Sequence, residues 1–89
     1  MIVEFDKSFS KSLDRIKDST ILRRIETTLL KLEEAESLQD LKNLKKLSGF
    51  KNYYRIRLGN YRIGIEQIDK RTIRLIIIAH RKDIYKKFP

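Results

Sequence analysis

The sequence predicts an α+β fold: a helical hairpin packed on one face of a mostly antiparallel, four-stranded sheet. Three observations carry this. The apolar period is helical through the first third of the chain and switches to alternation at Tyr53. The run Leu75-Ile76-Ile77-Ile78 has no polar face, which suits a strand in the middle of a sheet covered on both sides. The elements follow in the order β-α-α-(short helix)-β-β-β, and with 89 residues they form one domain spanning 1–89.

Met1 to Phe5 is a short β-type run, ended by Asp6 and Ser8, both suited to a helix N-cap. Phe9, Leu13 and Ile16 recur at i, i+4 and i+7, the stripe of an amphipathic helix to about Lys17. Asp18-Ser19-Thr20 breaks that pattern and offers the next cap. Ile21, Leu22, Ile25, Leu29 and Leu32 mark a second helix to about Glu36, antiparallel to the first. Leu38, Leu41, Leu44 and Leu47 follow at a spacing of three, which predicts a short helix or 3₁₀ connector with Lys42, Lys45 and Lys46 facing out. The run is too short for a leucine zipper.

Tyr53 to Leu58 reads as a strand, Gly59-Asn60 as a two-residue hairpin turn, and Tyr61 to Ile68 as the returning strand. Asp69-Lys70-Arg71 turns the chain into a last strand from Ile73 to Ala79, and His80 to Tyr85 lead into a short basic tail. Register arithmetic follows from the turn. It opposes Leu58 to Tyr61, Arg57 to Arg62, Ile56 to Ile63, Arg55 to Gly64 and Tyr54 to Ile65. One face is then apolar, while the other shows Tyr53, Arg55, Arg57, Arg62, Gly64 and Glu66. A slip of one residue would bury three arginines, so the register is strongly specified.

The chain has no cysteine and one histidine, which excludes a disulfide scaffold, a thiolate zinc site and an imidazole-rich metal site. No metal or other cofactor is expected. There is no apolar run of membrane-spanning length and no signal-peptide core, so the expected location is the cytoplasm, with no membrane partner. Net charge is +9, and it is uneven. Residues 1–40 carry 7 Lys/Arg and 9 Asp/Glu (net −2); residues 41–89 carry 14 and 3 (net +11). Between Leu41 and Ile65 there are seven basic residues, Lys51 among them, and no acid. A solvated face usually mixes signs; this one suits phosphate.

Arg57 opposed to Arg62 is the odd feature, because like charges across a ladder cost up to about 1 kcal/mol. An anion between two guanidinium forks would relieve the clash; so, more weakly, would Glu66 and solvent ions. Gly64 opposite Arg55 reads as room for a ligand backbone. Lys45, Lys46, Lys51 and Arg55 are the further candidates for phosphate contact. Tyr53 has two readings, a platform for a base or a cover for the sheet edge. His80 and Arg81 end the last strand, and Tyr85 follows.

Leu47-Ser48-Gly49, YYRIRLGNYRIGIEQ and IIIAHRKDIY together closely resemble the RelE branch of the RelE/ParE toxin superfamily of toxin–antitoxin pairs, over essentially the whole chain. The resemblance implies a metal-independent endoribonuclease that enters the ribosomal A site, cuts mRNA by attack of a ribose 2′-OH on the adjacent phosphate, and is neutralised by a cognate antitoxin. Carried over by motif, its site falls on Arg55, Arg57, Arg62, Arg81 and Tyr85. Well-known RelE members have lysines at the positions of Arg55 and Arg57. An arginine can grip phosphate but is a poor general base, which turns attention to His80, whose residue type titrates near pH 6.5. Two rivals stand beside this reading: a ParE-like poison of DNA gyrase without nuclease activity, and a non-toxic basic nucleic-acid-binding module.

Overall fold

A computed structural model describes residues 1–89. The elements are β1 (Ile2–Phe5), α1 (Lys7–Asp14), α2 (Ser19–Glu34), a 3₁₀ turn (Leu38–Asp40), β2 (Leu44–Lys46), β3 (Tyr53–Leu58), β4 (Tyr61–Gln67), β5 (Thr72–His80) and α3 (Ile84–Lys87). The class is the α+β one expected, but the sheet has five strands, in the order β1-β5-β4-β3-β2. β1 runs parallel to β5 and every other pair is antiparallel. No helix is long and apolar enough to cross a membrane.

Both helices start where their caps predict. The Asp6 carboxylate accepts from the Ser8 N–H, and Asp18 accepts from the N–H groups of Thr20 and Ile21. α1 ends at Asp14 and not near Lys17, although Ile16 still reaches the core. Phe9, Ile16, Ile21, Ile25 and Leu32 then bury themselves against Ile56, Ile63, Ile65, Ile73 and Leu75 of the sheet. Each such side chain is worth about 1.5–3 kcal/mol of burial, so this layer dominates the stability.

The hairpin register is the one derived from its turn, residue for residue, with Arg57 opposite Arg62 and Arg55 opposite Gly64. Gly59 has φ +61 and Asn60 does not share that sign, the pattern of a type II′ turn, whose twist matches that of the strands.

Three expectations are corrected. The segment with leucines at a spacing of three is a helical turn only at Leu38–Asp40; Asn43, at φ +64, reverses the chain, and Leu44–Lys46 pair with β3 as an edge strand. Leu38, Leu41 and Leu44 do pack on the helix-side core, but Leu47 packs on the opposite side of the sheet, so the four do not share one edge. The end of the chain is not a loose basic tail. Its α3 lies across the back of the sheet, burying Ile84 and Phe88 against Leu47 and Ala79, with Tyr53, Ile76 and Ile77 around them. Finally, Gly64 does not open room for a ligand: a Cβ there would meet the Phe88 ring at 2.6 Å, so the space belongs to the chain's own phenylalanine.

β5 carries a bulge. Gly64 is opposed to Ile77 and Ile65 to Leu75, which leaves Ile76 as the extra residue. β1 pairs with β5 only as far as Leu75. Beyond it two serines of α1 take over the ladder's groups: Ser8 Oγ donates to the Ile76 carbonyl, and Ser12 Oγ accepts from the Ile78 N–H at 3.0 Å. Without them these backbone groups would be left unpaired.

Candidate nucleic-acid interface

On the back of the sheet, beside α3, β2 and β3 bring Lys45, Arg55 and Arg57 to one side because Lys45 is opposed to Arg55. β4 adds Arg62 opposite Arg57. Together with Asn43, Leu44 and Tyr85 they line a concavity of about 330 Å³ with no carboxylate in its wall. Arg81 stands next to it: its backbone N–H donates to the Asn60 carbonyl at 2.7 Å, tying the end of β5 to the hairpin turn.

Arg62 is the centre of the group. Its Nη1 donates to the carbonyls of Gly59 and Tyr61, each at 2.8 Å, so the guanidinium is folded over the turn and held there. Partial burial, then the positive charges of Arg57, Arg81 and Arg55, hold it below the ordinary arginine range, with Tyr85 acting the other way. It stays charged, since arginine keeps its proton in proteins. The result is a cation whose field is unbalanced by any acid in the pocket wall, which is the electrostatic condition for capturing an anion.

Tyr85 is 74% exposed, yet its ring is not free: the Arg55 guanidinium carbon sits 4.6 Å from its centroid. Such a cation–π pair is worth about 0.5–1 kcal/mol at an exposed site. Its neighbours Ile84 and Phe88, 0% and 4% exposed, anchor the short helix that presents it. The tight fit of Phe88 on Gly64 therefore sets the position of Tyr85.

The remaining candidates are not brought together with this group. Lys46 is opposed to Tyr54 and so shares the helix-side face, away from Arg55. Lys51 is exposed in the β2–β3 connection, outside the pocket wall. Tyr53 is packed between Phe50 (ring centroids 5.5 Å) and Phe88 (5.3 Å, edge-on), so it covers the sheet. His80 is opposed to Tyr61, whose ring it meets edge-on at 5.7 Å, while Ala79 is the residue opposed to Arg62. The register thus directs His80 to the face opposite the arginines, and its Nδ1 accepts from the Lys82 N–H at 3.2 Å. No group of three acidic, histidine or cysteine side chains is placed to hold a metal ion.

Two contributors were not foreseen. Asn43 lines the pocket and its carbonyl accepts from the Arg57 N–H at 3.0 Å. Phe88 holds α3 in place, and its i, i+4 spacing from Ile84 was the available signal.

The chain is thus a small α+β domain with an arginine-walled concavity on the back of its sheet. Residues 3–85 match the family model described as the ParE toxin of the type II toxin–antitoxin system parDE, and the chain belongs to that toxin family. It is 46% identical, over 90 residues and the whole of both chains, to toxin RelE3 of Methanocaldococcus jannaschii. Among solved structures it resembles a chain of the RelB–RelE antitoxin–toxin complex of Methanococcus jannaschii, with TM-score 0.81, 41% identity, and coverage of 97% of this chain and 99% of that one. It shares the fold of the RelE–RelB complex from Pyrococcus horikoshii OT3, with TM-score 0.71, 24% identity and coverage of 90% and 93%. These names lie within the RelE/ParE superfamily that the motifs resemble.

Proposed function

We propose that this toxin is a ribosome-dependent mRNA endonuclease of the RelE kind, held inactive by a cognate antitoxin of the RelB kind. The observation that carries the reading is the acid-free pocket in which Arg55, Arg57 and Arg62 converge beneath Tyr85, with Arg81 at its rim. In the reaction the ribose 2′-oxygen bonds to phosphorus and gives its proton to water, the bond from phosphorus to the 5′-oxygen breaks and that oxygen takes a proton from water, and negative charge grows on the phosphoryl oxygens in between. Arg57 and Arg62 bind those oxygens, and their contribution rises as the charge develops. Arg81 stabilises the leaving 5′-oxygen, and Tyr85 sets the posture of the nucleotide. Lys45 and Arg55 position the adjoining backbone.

The histidine enters this reading differently from its first promise. With His80 on the opposite face, catalysis rests on the electrostatics of the arginines, and the imidazole holds the turn that delivers Arg81. The site of action places the protein in the cytoplasm, on ribosomes.

Primer extension on mRNA in a translating extract, with and without ribosomes, tests the proposal. New 5′ ends that need ribosomes and vanish in Arg62→Ala are expected. The match to a family described by ParE favours one other target, DNA gyrase. Loss of gyrase supercoiling activity on adding the toxin, with mRNA left intact, would replace the present reading by that one.

A further inference from the structure

Three residues of the chain adopt left-handed backbone: Asn43 at φ +64, Gly49 at +82 and Gly59 at +61. Two of them are glycine, the residue that takes this conformation at no steric cost. Gly49 is glycine although a Cβ there would meet nothing within 4 Å. Asn43 alone keeps a side chain, and it alone of the three lines the arginine pocket.

The turn itself does not call for that side chain. An asparagine in left-handed backbone commonly bonds its own amide to a nearby main-chain group. Here the residue is exposed, its main-chain carbonyl accepts from the Arg57 N–H at 3.0 Å, and its carboxamide bonds no group of the chain. The rest of the pocket wall is of a different kind. Lys45, Arg55, Arg57 and Arg62 donate hydrogen bonds and cannot accept them, and the Leu44 side chain does neither. Such groups hold phosphate oxygens but leave the exocyclic amine of a base without an acceptor. Tyr85 offers a single hydroxyl. The Asn43 carboxamide offers an acceptor oxygen and a donor nitrogen side by side, and it brings no negative charge to the wall.

We infer that the Asn43 carboxamide is the base-reading group of the pocket, pairing with the nucleobase next to the bound phosphate and favouring adenine over guanine. The inference deepens the endonuclease reading and rests on it: the arginines supply grip and charge stabilisation, and Asn43 supplies the choice of cleavage site. Adenine shows N6–H beside N7, a donor beside an acceptor, which a carboxamide meets with two hydrogen bonds. Guanine shows O6 and N7 at the same edge, two acceptors, and leaves the amide oxygen unpaired. In single-stranded RNA that edge is open to side chains. A bidentate pair of this kind discriminates by about 5- to 150-fold.

The test is single-turnover cleavage on ribosomes carrying mRNAs that differ only in having adenine or guanine next to the cleaved bond. The wild type should cut the adenine message about 5- to 150-fold faster than the guanine one. Asn43→Gly keeps the left-handed turn and removes the carboxamide. It should melt as the wild type does and bring the ratio of the two rates close to one. Aspartate is tolerated in the same backbone. Asn43→Asp lacks the amide donor and places an acid in the wall, so it should lose the preference and cut both messages more slowly. Arg62→Ala should cut neither, and this arm reports on the endonuclease pocket alone. A wild type that leaves both messages intact, or an Arg62→Ala that cuts as the wild type does, would sink that pocket. A wild type that cuts both at one rate would leave the pocket standing and overturn the inference. So would Asn43→Gly with the wild-type ratio, whether or not both rates fall, because Asn43 would then serve only its turn.

Discussion

Arg62 shows how one side chain can be held against its neighbours' repulsion. Two backbone carbonyls of the hairpin turn accept from its Nη1, and they offset the cost of facing Arg57. The net effect of Arg62→Ala on stability is expected to be less than about 1 kcal/mol, since hydrogen bonds of about 0.5–1.5 kcal/mol are lost and a like-charge pair of similar size is relieved. Growth inhibition should nevertheless disappear. A variant that stays folded by circular dichroism and remains fully toxic would show that the anion pocket has no part in toxicity. His80→Ala makes the complementary case. Its register on the opposite face predicts single-turnover cleavage on programmed ribosomes within about tenfold of wild type, where loss of a general base would cost about 10²–10⁴-fold. A loss in that larger range, with a flattened pH profile, would restore the imidazole to the chemistry.

At the level of elements, the decisive contacts join pieces that are far apart in the chain. Phe88 fills the space that Gly64 leaves, and α3 hangs from that contact and from Ile84. Gly64→Ala would drive a methyl into the ring, an overpacking expected to cost about 1–3 kcal/mol and to displace Tyr85 with the helix. Its thermal midpoint and its cleavage rate should fall together. A variant of wild-type stability and rate would mean that α3 does not position the site. The serines of α1 act likewise on β5. Ser12→Ala orphans the Ile78 N–H, and urea titration should show a loss of about 1–3 kcal/mol. Acid acts on the start of the same helix. The hydrogen bonds from Ser8, with Arg74 nearby, hold the Asp6 carboxyl below its usual value. A depressed carboxylate contributes stability that is complete above the unfolded value of 3.8 and is lost as pH falls through the lower folded one. Acid-titration melts of Asp6→Asn should therefore lose part of their pH dependence below about pH 4.

Across the whole molecule the charge asymmetry of the chain separates the two helices and the edge strand β1 from the rest of the sheet. The near-neutral half forms β1, α1 and α2, while the half carrying net +11 forms the hairpin, the edge strand β2, β5 and α3. A free surface of that density would bind RNA indiscriminately, so the antitoxin segment seated on it should be acidic. Association measured by stopped flow should slow by about tenfold or more as salt is raised from low to physiological strength. A rate indifferent to salt would put the antitoxin on the helical layer, with inhibition by bulk.

Both caps, the two main helices and the β3–β4 register are local properties, fixed by side chains within a turn or two of one another. Asp6 and Asp18 sit beside the N–H groups they satisfy, and Gly59-Asn60 sets every pair up to Tyr54–Ile65. For that reason the sequence by itself determined the α+β class, the apolar face and the alignment of Arg55, Arg57 and Arg62. The structure alone decided the rest, because each remaining feature depends on partners distant in sequence. Leu44-Lys45-Lys46 is a strand only because the outer edge of β3 is there to pair with it, a preference three residues cannot express alone. Gly64 reads as open space until Phe88, 24 residues later, is folded back onto it. His80 stands next to Arg81 in the chain, but pairing with Tyr61 turns it to the far face, and alternation along β5 gives the place opposite Arg62 to Ala79.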